Sequence, residues 1–141
     1  MSRQEIIDLT HELIESVVSS NWETYTRLCA DDLTAFEPEA EGYLIEGMQF
    51  HKHYFDLAND SPYSGVTTTL SSPHVRIMGE VAIIAYIRVS QRSDKSGNST
   101  TSTSRESRVW HRIDGEWKHV HFHRSQKHPL LNRAACDRTP V

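Results

Sequence analysis

Ile6, Leu9, Leu13 and Val17 recur at helical spacing, and Ile7, Ile14 and Val18 widen the stripe, so the pattern predicts a long amphipathic helix at the start of the chain. Ser2 and Glu5 stand at capping-box spacing ahead of it. Asn21 is placed to cap a second, short helix with Trp22, Tyr25, Leu28 and Cys29 as its apolar members, ended by Asp31-Asp32. Leu33 to Phe36 reads as a short strand stopped at Glu37-Pro38-Glu39. Gly42 and Gly47 bracket a short extended piece, Tyr43-Leu44-Ile45. From Met48 to Ala58 one stripe carries Met48, His51, Phe55 and Ala58 and its neighbour Phe50, Tyr54 and Leu57, which predicts a third, well-buried helix. Asn59 to Gly65 is rich in turn formers and predicts a mobile loop.

After Val66 the period changes to that of strands. Val66 to Leu70, Val75 to Met78, Val81 to Arg92, Ser102 to Ile113 and Glu116 to Arg124 are rich in β-branched and aromatic residues. Gly79-Glu80 and Asp114-Gly115 mark tight turns, so successive strands become antiparallel neighbours. Helices first and a meander second predict an α+β domain with helices covering one face of a curved sheet. Ser93 to Ser107 is dense in Ser, Thr, Gly and Asn and is expected to be a solvated hairpin connection. The domain is expected to span 1–125, with 126–141 as a loosely ordered tail.

A chain of 141 residues supports one real core. Its formal net charge of -4 argues against nucleic acid as a partner. The opening Met1-Ser2-Arg3-Gln4-Glu5 lacks the pattern of a targeting peptide and no apolar run approaches the length of a membrane span, so a soluble, cytoplasmic protein with no membrane partner is expected. Cys29 and Cys136 are too dissimilar in setting to suggest a disulfide, and Cys29 is expected to be a buried, inert thiol. Asn98-Ser99-Thr100 matches a glycosylation acceptor, a chance match in a cytosolic protein.

Candidate chemistry is sparse. The sequence has no Gly-rich phosphate loop, no nucleophile elbow and no kinase catalytic loop, and no cofactor or catalytic residue is assigned. His119, His121 and His123 alternate and would share one face of a regular strand. That spacing alone does not make a metal site; neutral histidines on a partly exposed or interface-facing sheet surface are the plainer reading, and a pH-sensitive contact surface is its sharper form. Arg88, Arg108 and Arg124 are more unusual, because each falls in an apolar strand pattern: Arg88 with Ile84 and Tyr86, Arg108 with Trp110, Arg124 with Val120 and Phe122. Buried guanidinium groups need carboxylates, carbonyls or a bound anion. Glu37 and Glu39 are the obvious counter-charges; three separate surface salt bridges are the alternative.

Leu33 to Ala40 (LTAFEPEA), Glu46 to Phe55 (EGMQFHKHYF), Ile84 to Gln91 (IAYIRVSQ), Arg108 to Trp117 (RVWHRIDGEW) and His121 to Ser125 (HFHRS) occur in an order and spacing that resemble the association, or hub, domain of calcium/calmodulin-dependent protein kinase II. The resemblance runs from about Arg3 to Ser125. It implies the cone fold of nuclear transport factor 2 and ketosteroid isomerase, a long N-terminal helix packed in a strongly curved antiparallel sheet. It implies a non-catalytic domain that assembles with itself, as dimers in a dodecameric or tetradecameric ring, and gathers the kinase and regulatory segments of a parent chain. It also implies a pocket for small carboxylates formed by His51, Arg88, Arg108 and Arg124. The polar Asn59–Gly65 stretch departs from members with a tryptophan there, which weakens the expectation of tight binding. Two other readings remain: a small isomerase or dehydratase that uses the cone as an active site, and a metal module built on His119, His121 and His123.

Overall fold

The computed structural model describes residues 2–57 and 63–126. Helix α1 spans Arg3–Val18, and its cap is the expected one, with Ser2 accepting a hydrogen bond from the Glu5 amide. Helix α2, Trp22–Leu28, is capped by Asn21, whose side chain accepts from Thr24 N at 3.1 Å. Strand β1 follows at once over Cys29–Phe36. The helix thus ends before the Asp31-Asp32 pair expected to stop it, because extended backbone at Cys29 lets the chain pair with the last strand. A 3-10 turn over Pro38–Ala40 leads to β2, Ile45–Glu46, and then to helix α3, Gln49–Leu57. Tyr43 and Leu44, expected to be extended, lie outside β2 and are 77% and 46% exposed.

The remaining strands are β3 Tyr63–Met78, β4 Val81–Asp94, β5 Ser99–Ile113 and β6 Glu116–Gln126. They form one six-stranded sheet in the order β2-β1-β6-β5-β4-β3. Every neighbouring pair is antiparallel except β1 with β6, which run parallel, so the all-antiparallel expectation holds for the meander and fails at that seam. The two short strands also sit between helices, so helices and sheet are less segregated along the chain than expected. Val66–Leu70 and Val75–Met78 belong to one strand, interrupted by an irregularity near Ser72, which has φ +52°. Such bulges bend a strand, and the sheet curves. Asp114 and Gly115 both take positive φ, as their tight hairpin requires.

Two expectations about exposure are corrected. Ser93 to Ser107 is mostly strand: the connection shrinks to residues 95–98, folded by the Asp94 carboxylate, which accepts from the Ser96 and Asn98 amides at 2.9 and 2.8 Å. The strand expected from Ser102 begins at Ser99, and its polar inward positions Ser104 and Glu106 are buried instead of solvated. Helix α3 is only half-buried; His51 is buried on it, whereas Tyr54 is 40% exposed. Most of the Asn59–Gly65 stretch, the 126–141 tail apart from Gln126, and Cys136 lie outside the described residues.

Ile6, Leu13 and Ile14 of α1 pack on Val75, Ala82, Ile84, Trp110 and Trp117 of the sheet. Each fully buried aliphatic side chain contributes roughly 1.5–3 kcal/mol. The buried Trp110 indole donates to Thr10 Oγ1 at 3.1 Å, which satisfies both polar groups inside the core. Cys29 is buried as expected, with its thiol pushed up to about 12 by burial. A smaller cluster of Ala35, Ile45 and Phe122, with Phe50 against it, lies beside a pocket lined by both charged and aromatic side chains.

Candidate functional site

The register of the sheet fixes which side chains meet. Ile84, Arg108 and Phe122 face each other across β4, β5 and β6; Tyr86, Glu106 and Arg124 form the next row, and Arg88 with Ser104 the one beyond. Glu106 therefore stands at the centre of a triangle of arginines. Cross-strand and diagonal neighbours are within reach of long side chains, so this placement alone brings the charges together.

Glu106 has no exposed side-chain surface and is fully engaged. Its Oε1 accepts from Tyr86 Oη at 2.5 Å and from Arg108 Nη2 at 3.0 Å, while Oε2 accepts from Ser104 Oγ at 3.0 Å and lies 3.5 Å from Arg88 Nη1. Burial alone would raise its pKa, but Arg108, Arg88 and the Tyr86 hydroxyl outweigh that and hold it at about 2. Arg108 is equally committed: Nε donates to Tyr86 Oη at 2.8 Å, Nη1 lies 3.3 Å from His119 Nε2, and the guanidinium sits 4.6 Å over the Phe122 ring.

Above this floor is a cavity of about 220 Å³ whose walls include Glu37, Glu39, His51, Arg88, Arg92, Arg108, Phe122 and Arg124. All four residues expected from the sequence, His51, Arg88, Arg108 and Arg124, line it, and so do both expected counter-charges. Their states differ. Arg124 donates to Glu39, whose carboxyl stays below the usual range because that hydrogen bond and charge overcome its partial burial. Burial lowers the pKa of Arg88, and its Nε has no hydrogen-bond partner among the described residues. His51 is packed against Phe50, Phe122 and Tyr25, with Nε2 3.5 Å from Glu37 Oε1. Burial pushes its imidazole down to about 4; a polar contact to the Gly47 backbone pulls the other way without reaching hydrogen-bond geometry. Glu37 moves in the opposite sense, up to about 7, through burial and the neighbouring Glu39.

Arg88, Arg108 and Arg124 thus meet Glu37, Glu39 and Glu106 around one cavity, with Arg92 also on its wall. Sequence reasoning missed Glu106, because it fell where the expected connection Ser93–Ser107 and the expected strand Ser102–Ile113 overlap. Its position two residues before Arg108 and four before Trp110 would have placed it on their face of a strand.

The alternating histidines do not share a face. His119 pairs with Trp110 and His121 with Val109, so Val120 is bulged out and the face switches there. His119 is buried and stacks on Phe122, whereas His121 and His123 lie beside Phe36 on the outer side. The same bulge removes Val120 from the face shared by Phe122 and Arg124. Among the described residues no group of His, Cys, Asp and Glu is arranged to hold a metal. No described helix is long and apolar enough to cross a membrane.

The family model described as the calcium/calmodulin dependent protein kinase II association domain matches residues 2–128. The delta subunit of calcium/calmodulin-dependent protein kinase type II from Oryctolagus cuniculus is 51% identical over 135 residues, covering 95% of this chain and 25% of that protein. The chain spans about a quarter of the length of the curated relatives it matches. The CaMKII association domain of C. elegans superposes with a TM-score of 0.80 at 43% identity, over 88% of this chain and 95% of that one. An NTF2-like superfamily protein of Salmonella enterica shares the fold, with a TM-score of 0.72 at 20% identity over 90% of this chain and 92% of its own.

Proposed function

Since this chain belongs to the calcium/calmodulin-dependent protein kinase II association domain family, and so is an NTF2-like, non-catalytic hub domain that associates with itself, we propose that it assembles kinase subunits into a closed ring, dodecameric or tetradecameric. The match over residues 2–128 carries the reading. The assembling unit is residues 1–125, and the subunits it gathers are those of a cytoplasmic, calmodulin-regulated serine/threonine kinase. Exposed apolar side chains on the lone chain support it: Ile83, Ile87, Met78 and Phe36, on strands β4, β3 and β1, are 37%, 42%, 48% and 40% exposed and offer carbon to a partner copy. The gain from assembly is physical. Catalytic domains tethered to one ring meet at a raised effective concentration, with no chemistry required of the hub.

In the same reading the pocket of His51, Arg88, Arg108 and Arg124 takes small carboxylates or acidic side chains, including those of a parent chain's kinase or regulatory segment. The convergence of Arg88 and Arg124 on one cavity, and an Arg88 Nε with no hydrogen-bond partner among the described residues, support it. Arg108 also supports the floor, through its contacts with Tyr86, Glu106 and His119. Native mass spectrometry of the chain at micromolar concentration tests assembly. Masses of twelve or fourteen copies are expected for the proposed ring, and a monomer overturns it.

A further inference from the structure

The pocket holds a carboxylate of its own where a ligand's would sit. Glu39 reaches Arg124 Nη2 from the 3-10 turn Pro38–Ala40, with the Arg124 side chain 15% exposed and that of Glu39 33% exposed. Glu106 cannot play this part: it has no exposed surface, lies within a strand paired on both sides, and is tied to Tyr86, Ser104, Arg88 and Arg108. Glu39 can leave. Its turn has no side-chain cap and is held by three backbone hydrogen bonds, Ala40 N to Glu37 O, Glu41 N to Pro38 O and Tyr43 N to Ala40 O, at 3.0, 3.1 and 3.1 Å. It closes on Glu41 at φ +52°, a left-handed conformation that a residue with a Cβ adopts at a cost.

We propose that Glu39 is a built-in competitor of the pocket: its carboxylate occupies Arg124 in place of an external one, and an acid that enters must displace it and loosen the Pro38–Ala40 turn. The proposal rests on the reading of the pocket as a carboxylate site and adds the residue that sets its affinity. Charge balance gives the consequence for ligand class. With Glu39 swung into solvent, Arg124 loses its carboxylate and the pocket becomes more positive by one charge, which a carboxylate of an entering acid restores.

The test is calorimetric titration of malonate into the 141-residue chain and its Glu39→Gln variant. Glutamine keeps the shape and gives up the charge, so the variant is expected to bind malonate about tenfold more tightly, the worth of one charge-assisted hydrogen bond. Equal or weaker binding by Glu39→Gln overturns the proposal and leaves the carboxylate site standing, because Glu39 would then only orient Arg124. If neither protein binds, the carboxylate reading falls and this proposal with it. Amide hydrogen exchange in the wild type gives a readout free of any variant. Malonate is expected to speed exchange at Ala40, Glu41 and Tyr43, and slower exchange there contradicts displacement.

Discussion

Glu106 and Glu39 are both glutamates on arginines of one pocket, and they behave as different materials. Glu106 sits in mid-strand, with partners delivered by the fixed register of β4, β5 and β6. Glu39 sits on a three-residue turn at the mouth, partly in water, with Arg124 as its ion-pair partner. The lesson is that scaffold decides role more than residue type. A buried, fully engaged carboxylate holds the floor together, and a half-exposed one on a short turn can give way to a ligand.

The sharpest way to break the comparison is to remove each carboxylate in turn. Glu106→Leu strands Arg88 and Arg108 without their counter-charge in the interior and is expected to cost about 3–5 kcal/mol. Glu39→Gln touches a partly solvated pair and is expected to cost less than about 1 kcal/mol. Urea unfolding at one fixed protomer concentration compares them, since assembly makes stability depend on concentration. Similar losses would erase the distinction between floor and mouth.

A second test uses pH. Glu37 titrates near 7 in the fold against an ordinary 4.5, so the folded state holds the extra proton and stability is lost as pH rises from 4.5 through 7. His51 titrates near 4 against 6.5, so its contribution is present above 6.5 and lost as pH falls through 4. Between 4.5 and 6.5 the two oppose each other, and wild-type stability should change little there. Glu37→Gln is expected to unmask the histidine, with stability falling as pH is lowered from 6.5, by at most about 3 kcal/mol. His51→Gln is expected to show the opposite slope up to pH 7. Melting curves across that range check both signs. The floor should stay silent until much lower pH, because Glu106 gives up its contribution only between 4.5 and about 2.

The smallest expected effect lies away from the pocket. Asn21→Ala removes the α2 cap and is expected to cost about 1 kcal/mol in the same urea experiment, without altering malonate affinity. A change in affinity would mean that helix, strand and pocket are less separable than the contacts imply.

Much of this was legible in the chain. The stripe Ile6, Leu13, Ile14, the caps Ser2 and Asn21, and the Asp114-Gly115 turn each carry a local signal, and each appears where it was expected. Arg88, Arg108 and Arg124 were legible because a cation in an apolar alternation is itself anomalous. Glu106 was not: in Ser104-Arg105-Glu106-Ser107 the inward positions are polar, so no hydrophobic period marked which of them are buried. The face switch at Val120 was equally hidden, since a bulge is a property of the pairing with β5 and leaves no residue signature in β6. The parallel seam of β1 and β6 joins segments far apart in sequence, and no turn signal announces it.

The most direct test of an exchangeable anion site above a structural floor is thermal unfolding in malonate against chloride at equal ionic strength, for wild type and Arg124→Gln. The account predicts that malonate raises the wild-type Tm and that Arg124→Gln loses most of that rise while native mass spectrometry shows an unchanged assembly. Identical wild-type melting temperatures in the two salts would contradict it.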